Sequence, residues 1–170
     1  MTLLIWATIA ALLPLANPSL FASHILNAEQ SSVASAWLTD HPEYRLATDR
    51  DCACDEDIQT MRAGSGGVWK PFPDYHPYVA TGDFNGDGIT DFAVVVITKR
   101  GVHDFALVVF NGPVDSQRPI AAFIGLQGNL AGAGLFYGPP RPKPYRLVVG
   151  RFESEGVVLQ PRGKTYRIEK

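Results

Sequence analysis

The stretch Phe92-Ala-Val-Val-Val-Ile97 is apolar at every position and dominated by β-branched residues. A strand with one wet face alternates polar and apolar side chains. An unbroken apolar run predicts a central strand covered on both faces. This strand should extend to Lys99. Working outward, further strands are predicted at Tyr78–Thr81, Phe105–Asn111, Ile120–Gly125, Tyr145–Arg151, Gly156–Gln160 and Thr165–Ile168. Turn-forming residues separate several of them, at Arg100-Gly101, Gly112-Pro113, Glu153–Glu155 and Pro161–Gly163. The last three strands are short and closely connected, which suits an antiparallel meander.

Cover for the central strand is expected from the N-terminal side. Asn27-Ala-Glu-Gln30 has the spacing of a capping box, and Val33, Ala34, Trp37 and Leu38 then recur on one helical face. Pro42 pushes His41 towards an extended conformation and should end that helix. A short extended piece, Tyr44-Arg-Leu-Ala47, follows. A second helix is expected from about Asp51 to Ala63, with Ile58 and Met61 turned to the core. Asp51, Asp55, Glu56 and Asp57 stand at its positive end, and Gly64 at its left-handed terminus. The expected fold class is α+β: N-terminal helices packed on a mainly antiparallel, twisted β-sheet, in one domain spanning 23–170.

Between the first two strands lies Thr81-Gly-Asp-Phe-Asn-Gly-Asp-Gly-Ile-Thr-Asp91. Its oxygen-bearing residues alternate. Asp83, Asn85 and Asp87 are followed by the carbonyl of Ile89 and the carboxylate of Asp91. Calcium is a hard ion that takes six to eight oxygen ligands. A tightly curling loop can turn alternate side chains inward, and Gly86 and Gly88 permit the positive φ that curling requires. Three carboxylates are enough to compensate a divalent ion. The Ile89 side chain is expected to turn into the core.

This loop resembles the calcium loops of the FG-GAP/VCBS type, over Gly82 to Ile97. The resemblance implies that Asp83, Asn85, Asp87, Ile89 (through its carbonyl) and Asp91 hold Ca2+ in the first, third, fifth, seventh and ninth ligand places. An EF-hand would need Glu at the twelfth place, where Val94 stands, and a following helix rather than a strand. FG-GAP proteins repeat the motif in each blade of a propeller. Here it occurs once, so the propeller and its adhesive roles are not implied. The rest of the chain resembles small exported bacterial proteins with a single such loop, and that resemblance implies no activity.

Other features carry less chemistry. Cys52-Ala-Cys54 is open to three readings: a disulfide, half of a soft-metal site, or two independent thiols. The segments Trp69–Tyr78 and Phe136–Tyr145 interleave aromatics with prolines. They are expected to cover one end of the sheet, with an aromatic binding groove as the alternative. His76 beside Asp74, and His103 beside Asp104, have no accompanying nucleophile pattern. H-E-x-x-H, G-x-S-x-G and a complete phosphate loop are absent.

The chain of 170 residues is 46% hydrophobic, with 15 basic and 17 acidic residues. That supports a globular core and leaves no electrostatic footprint for nucleic acid. Gly and Pro, 16 and 13 residues, favour a loop-rich β domain. Leu3 to Leu15 is an apolar run, too short for a spanning helix of ~20 residues and followed by Pro, Ser and Ala. Residues 1–22 are therefore expected to be a signal peptide, with an uncleaved anchor as the alternative.

The expected role is that of an exported calcium-binding module, secreted or periplasmic, non-enzymatic and structural or binding. Its partner would be an envelope or extracellular protein or glycan, with no nucleic acid and no membrane contact after cleavage. The alternatives are a small secreted hydrolase, or an inhibitor or adhesion protein acting through the aromatic–proline loops. Intact-mass analysis of exported material should give a chain starting near Ser23. A product still carrying Met1 would support the anchor.

Overall fold

The structure is a computed structural model, and it describes residues 25–64, 71–99, 104–139, 143–152, 154 and 156–169. The expected signal peptide lies outside the described residues, as do Trp69 and His103.

Helix α1 (Ala28–Asp40) starts at the expected capping box. Asn27 Oδ1 accepts from the Gln30 amide at 2.8 Å, and Gln30 Oε1 accepts from the Asn27 amide at 3.0 Å. The helix ends before Pro42, where His41 stacks on Trp37 at 3.8 Å. Strand β1 (Tyr44–Leu46) follows.

The expected second helix is two helices, α2 (Asp49–Cys52) and α3 (Asp55–Ala63). Ala53 between them is left-handed, with φ 54°. The cause is local. Cys52 and Cys54 are joined in a disulfide, and residues two apart on a continuous helix point away from each other. Gly64 closes α3 with φ 66°, its N–H donating to the Thr60 carbonyl.

The strands are β2 (Val79–Gly82), β3 (Asp91–Thr98), β4 (Phe105–Phe110), β5 (Phe123–Gly128), β6 (Ala133–Phe136), β7 (Val148–Arg151), β8 (Gly156–Arg162) and β9 (Thr165–Glu169). The protein is mixed α and β, and its strand pairs are antiparallel. In place of the single sheet expected there are two. The first runs β1-β3-β4-β5 with β2 also on β3, and the second runs β6-β7-β8-β9. The meander of the last three strands is present, extended by β6. Ala133-Gly-Leu-Phe136 has neither the alternation nor the β-branched content that marks a strand. Pairing with β7 makes it one.

Strand β3 has both faces buried. Phe92, Val94 and Val96 share a cluster with Ala106, Val108 and Phe110 of β4 and with Val33, Ala34 and Trp37 of α1. Ala93, Val95 and Ile97 share the other with Phe105, Leu107 and Val109, with Cys52 and Ile58, and with Leu135, Val149 and Leu159 of the second sheet. Successive side chains of a strand point to opposite faces, so one apolar run feeds two cores. Phe92 and Phe110 are directly opposite in register and stack at 4.7 Å. Burying each such side chain is worth roughly 1.5–3 kcal/mol.

A polar clamp ties β1 to α2. Arg45 donates to both oxygens of Asp51, at 2.8 and 2.6 Å, and Asp51 Oδ2 also accepts from the Thr48 amide and hydroxyl. The Arg45 hydrogen bonds, joined by those from Thr48, lower the Asp51 carboxyl to about 2 against partial burial. A carboxyl whose folded value lies below its unfolded value of 3.8 stabilises the protein above that value. The contribution fades as pH falls from about 4 towards 2. Acid titration of urea-unfolding midpoints should therefore show a steeper loss in wild type than in Asp51→Asn. Parallel curves would refute the assignment.

Candidate metal centre

Strands β2 and β3 form a hairpin closed by the pair Gly82 and Asp91. The loop between them is held by its own side chains. Asp83 Oδ1 accepts from the amides of Gly86 and Asp87 at 2.6 and 3.0 Å, and Oδ2 accepts from Gly88 at 2.9 Å. Asn85 Oδ1 accepts from the Asp87 amide, and Asp87 Oδ1 from Ile89, at 2.9 and 2.8 Å. Asn85 Nδ2 donates to Asp87 Oδ2 at 2.9 Å. Gly86 and Gly88 take φ values of 83° and 84°, as the curling requires.

Phe84 anchors the loop. It is fully buried and meets Tyr137 edge-on at 5.0 Å, while the Tyr137 hydroxyl donates to the Asp83 carbonyl at 2.7 Å. Ile89 does not turn into the core as expected. Its side chain is 42% exposed and lies across Gly112, where any Cβ would meet Ile89 Cγ2. The apolar anchor comes from the even position early in the loop, leaving Ile89 at the surface.

Asp91 is buried completely, unlike the other side chains of the set. Its Oδ2 accepts from the amides of Phe84 at 2.8 Å and Asn85 at 3.3 Å, and its Oδ1 accepts from Gly112 at 2.9 Å. Burial pushes its carboxyl up, opposed by those amides. The Tyr166 hydroxyl is 3.3 Å from Asp91 Oδ2 and 2.7 Å from Asn111 Oδ1. It has one proton, and the shorter contact to Asn111 takes it. Burial and the nearby Asp91 raise the Tyr166 phenol well above its ordinary value.

The five predicted positions thus share one loop but face two ways. Asp83, Asn85 and Asp87 stand at the rim, and Asp91 points into the core. Among the described residues no group of three or more His, Cys, Asp or Glu is placed to hold an ion. The donor set still suits a hard divalent cation. Asp83 Oδ1 and Asp91 Oδ2 each already accept two amides, while Asp83 Oδ2, both oxygens of Asp87 and Asp91 Oδ1 accept one bond each and keep a further lone pair. Gly112, Asn111 and Tyr166 complete the surroundings of Asp91. They lie far along the chain and carry no local signal.

The other candidates are placed differently from their sequence neighbours. His76 pairs with Asp49, not Asp74, its Nδ1 lying 2.9 Å from Asp49 Oδ1. Arg62 donates to the same carboxylate at 2.7 Å and to the Tyr75 carbonyl at 2.9 Å. This joins α2, α3 and the segment before β2. Cys52 and Cys54 are bonded to each other and buried, which leaves neither as a free thiol to ligate a metal. The two aromatic segments do meet. Tyr75 is buried, stacks on Phe136 at 5.8 Å and meets Phe152 edge-on at 5.9 Å. Among the described residues its hydroxyl has no hydrogen-bond partner.

Comparison with family models, curated proteins and solved structures gives no match.

In Asp91→Asn, an amide NH2 would replace one acceptor and face a backbone N–H. Leaving a buried donor unsatisfied costs about 1–3 kcal/mol. The variant should melt lower than wild type in chelator, with no ion involved. An unchanged melt would mean that Asp91 does not hold the loop.

Proposed function

We propose that this protein is an exported calcium-binding module of the FG-GAP/VCBS-like kind, secreted or periplasmic, with a structural or binding role and no catalytic one. Asp83, Asn85, Asp87, the Ile89 carbonyl and Asp91 would hold Ca2+, and the N-terminal helices would serve as cover for the sheet. The observation that carries this reading is the loop itself. It has oxygens at alternate positions, two glycines at positive φ, and a curl already formed by its own hydrogen bonds. The ion would supply positive charge that offsets repulsion among the three carboxylates.

A structural role is favoured over chemistry by the neighbours. Phe84 and Phe92, on either side of the loop, are fully buried, and Tyr137 caps it. One observation favours the hydrolase reading: Asp49 orients His76 as a carboxylate orients a catalytic base. However, Arg62 shares that carboxylate, and no hydroxyl or thiol is among the hydrogen-bond partners of His76 within the described residues. No helix among the described residues is long and apolar enough to cross a membrane.

Exported modules bind calcium at roughly 10⁻⁴–10⁻³ M. At free calcium tenfold above Kd, linkage gives about 1.4 kcal/mol of stability. Thermal melts should rise with calcium and fall with chelator, and Asp87→Ala should lose most of the gain. The reading fails if chelator leaves the wild-type melt unchanged, or if the variant gains as much as wild type.

A further inference from the structure

A groove of about 600 Å³ opens beside the loop, within the ~300–1,000 Å³ typical of ligand sites. Its walls are Asn85–Asp87, the connection from β4 to β5, and the β8–β9 turn at Gly163-Lys164. Its floor is apolar, with Val33 and Phe110 nearly inaccessible at its base.

Charge on the walls is uneven in how it is used. Asp115 accepts the Gln117 amide at 2.8 Å, and Asp87 is engaged by Asn85 and Ile89 within the loop. Arg118 and Lys164 are exposed, and among the described residues neither side chain has a hydrogen-bond or ion-pair partner. Ile120, on the same wall, is 71% exposed. Arg118 and Lys164 balance Asp87 and Asp115 in formal charge. The two cations nevertheless lack partners among the described residues and stand beside an exposed aliphatic side chain, so they offer positions for the carboxylates of a chain that also carries an apolar residue. Among the described lining residues Phe110 is the sole aromatic, and it is buried and offers no face to a sugar. A peptide fits this lining better than a glycan.

We infer that this groove binds an acidic peptide segment of a partner protein, with its carboxylates on Arg118 and Lys164 and an apolar side chain against Ile120. The contacts with Arg118, Lys164 and Ile120 do not need calcium. Where the calcium reading holds, the ion neutralises Asp87 at the groove wall and tightens the same contacts.

The test is selection of a random heptapeptide library on the purified protein in calcium, followed by fluorescence anisotropy of the enriched peptides. Enrichment of Asp or Glu adjacent to an apolar residue is expected. The double variant Arg118→Glu/Lys164→Glu should weaken binding by about tenfold or more, the scale of losing a charged hydrogen bond. Ile120→Ala should weaken it by a few-fold, roughly the loss of a partly buried side chain. All three positions are exposed, so the variants should keep the wild-type melt. Peptides without acidic enrichment, or equal binding to the double variant, would overturn the inference. So would competition for the groove by a sulfated oligosaccharide with no acidic peptide selected. Peptide binding of equal strength in calcium and in chelator would uphold the groove and count against calcium at Asp87. A calcium-dependent melt without peptide binding would do the reverse.

Discussion

The two-sided burial of β3 is the constraint on which the other elements depend. A strand apolar on both faces needs a separate cover for each. The side chains of one face share a buried cluster with Val33, Ala34 and Trp37, and those of the other with Leu135, Val149, Leu159 and Cys52. Its edges are equally demanding. Strand β4 runs along one edge, while β1 and β2 share the other in tandem. The handover falls at Val95, whose carbonyl accepts from Ala47 and whose amide donates to Tyr78, both at 2.9 Å. A buried unpaired peptide group would be costly there. Segments separated by the whole of α2 and α3 are therefore needed to satisfy one residue.

Asp91, the first residue of β3, extends that dependence to the loop. A buried carboxylate is tolerated only when hydrogen bonds replace its hydration. Those bonds come from the loop, through Phe84 and Asn85, and from Gly112 just beyond β4. Gly112 can supply its N–H because it has no Cβ. A side chain there would crowd the Thr90 carbonyl and Ile89. Asn111 adds a link to Tyr166 of β9. The carboxylate thus gathers a hairpin and a strand end, and Asn111 beside Gly112 ties in the last strand of the other sheet.

Local pattern made much of this legible. The capping box of α1, the glycine end of α3, the central strand and the final meander each follow from periodicity or turn chemistry within a few residues. What escaped depends on partners distant in sequence. Strand β6 has no pattern of its own and is recruited by β7. The break between α2 and α3 comes from a bond that spacing left open. His76 stands two residues from Asp74, but it pairs with Asp49, 27 positions away. In the loop, the alternation of oxygens was plain, while the inward turn of Asp91 and the outward position of Ile89 were not. Both depend on Gly112, which the folding of β4 brings alongside.

The division of the loop bears on how it would treat an ion. Asp83, Asn85 and Asp87 accept from amides of their own loop. Asp91 is committed to the core at the same time. An ion on the proposed site would gain its ligands by sharing or displacing these bonds. Each bond to a charged group is worth roughly 1.5–3 kcal/mol, and any that is broken subtracts from the binding free energy. A curl already formed works in the opposite direction, since the ion need not order the loop from a random chain. Preformed backbone with engaged ligands thus favours a site of modest affinity. If calcium binds as proposed, such a site would fill where the ion is abundant and empty where it is scarce.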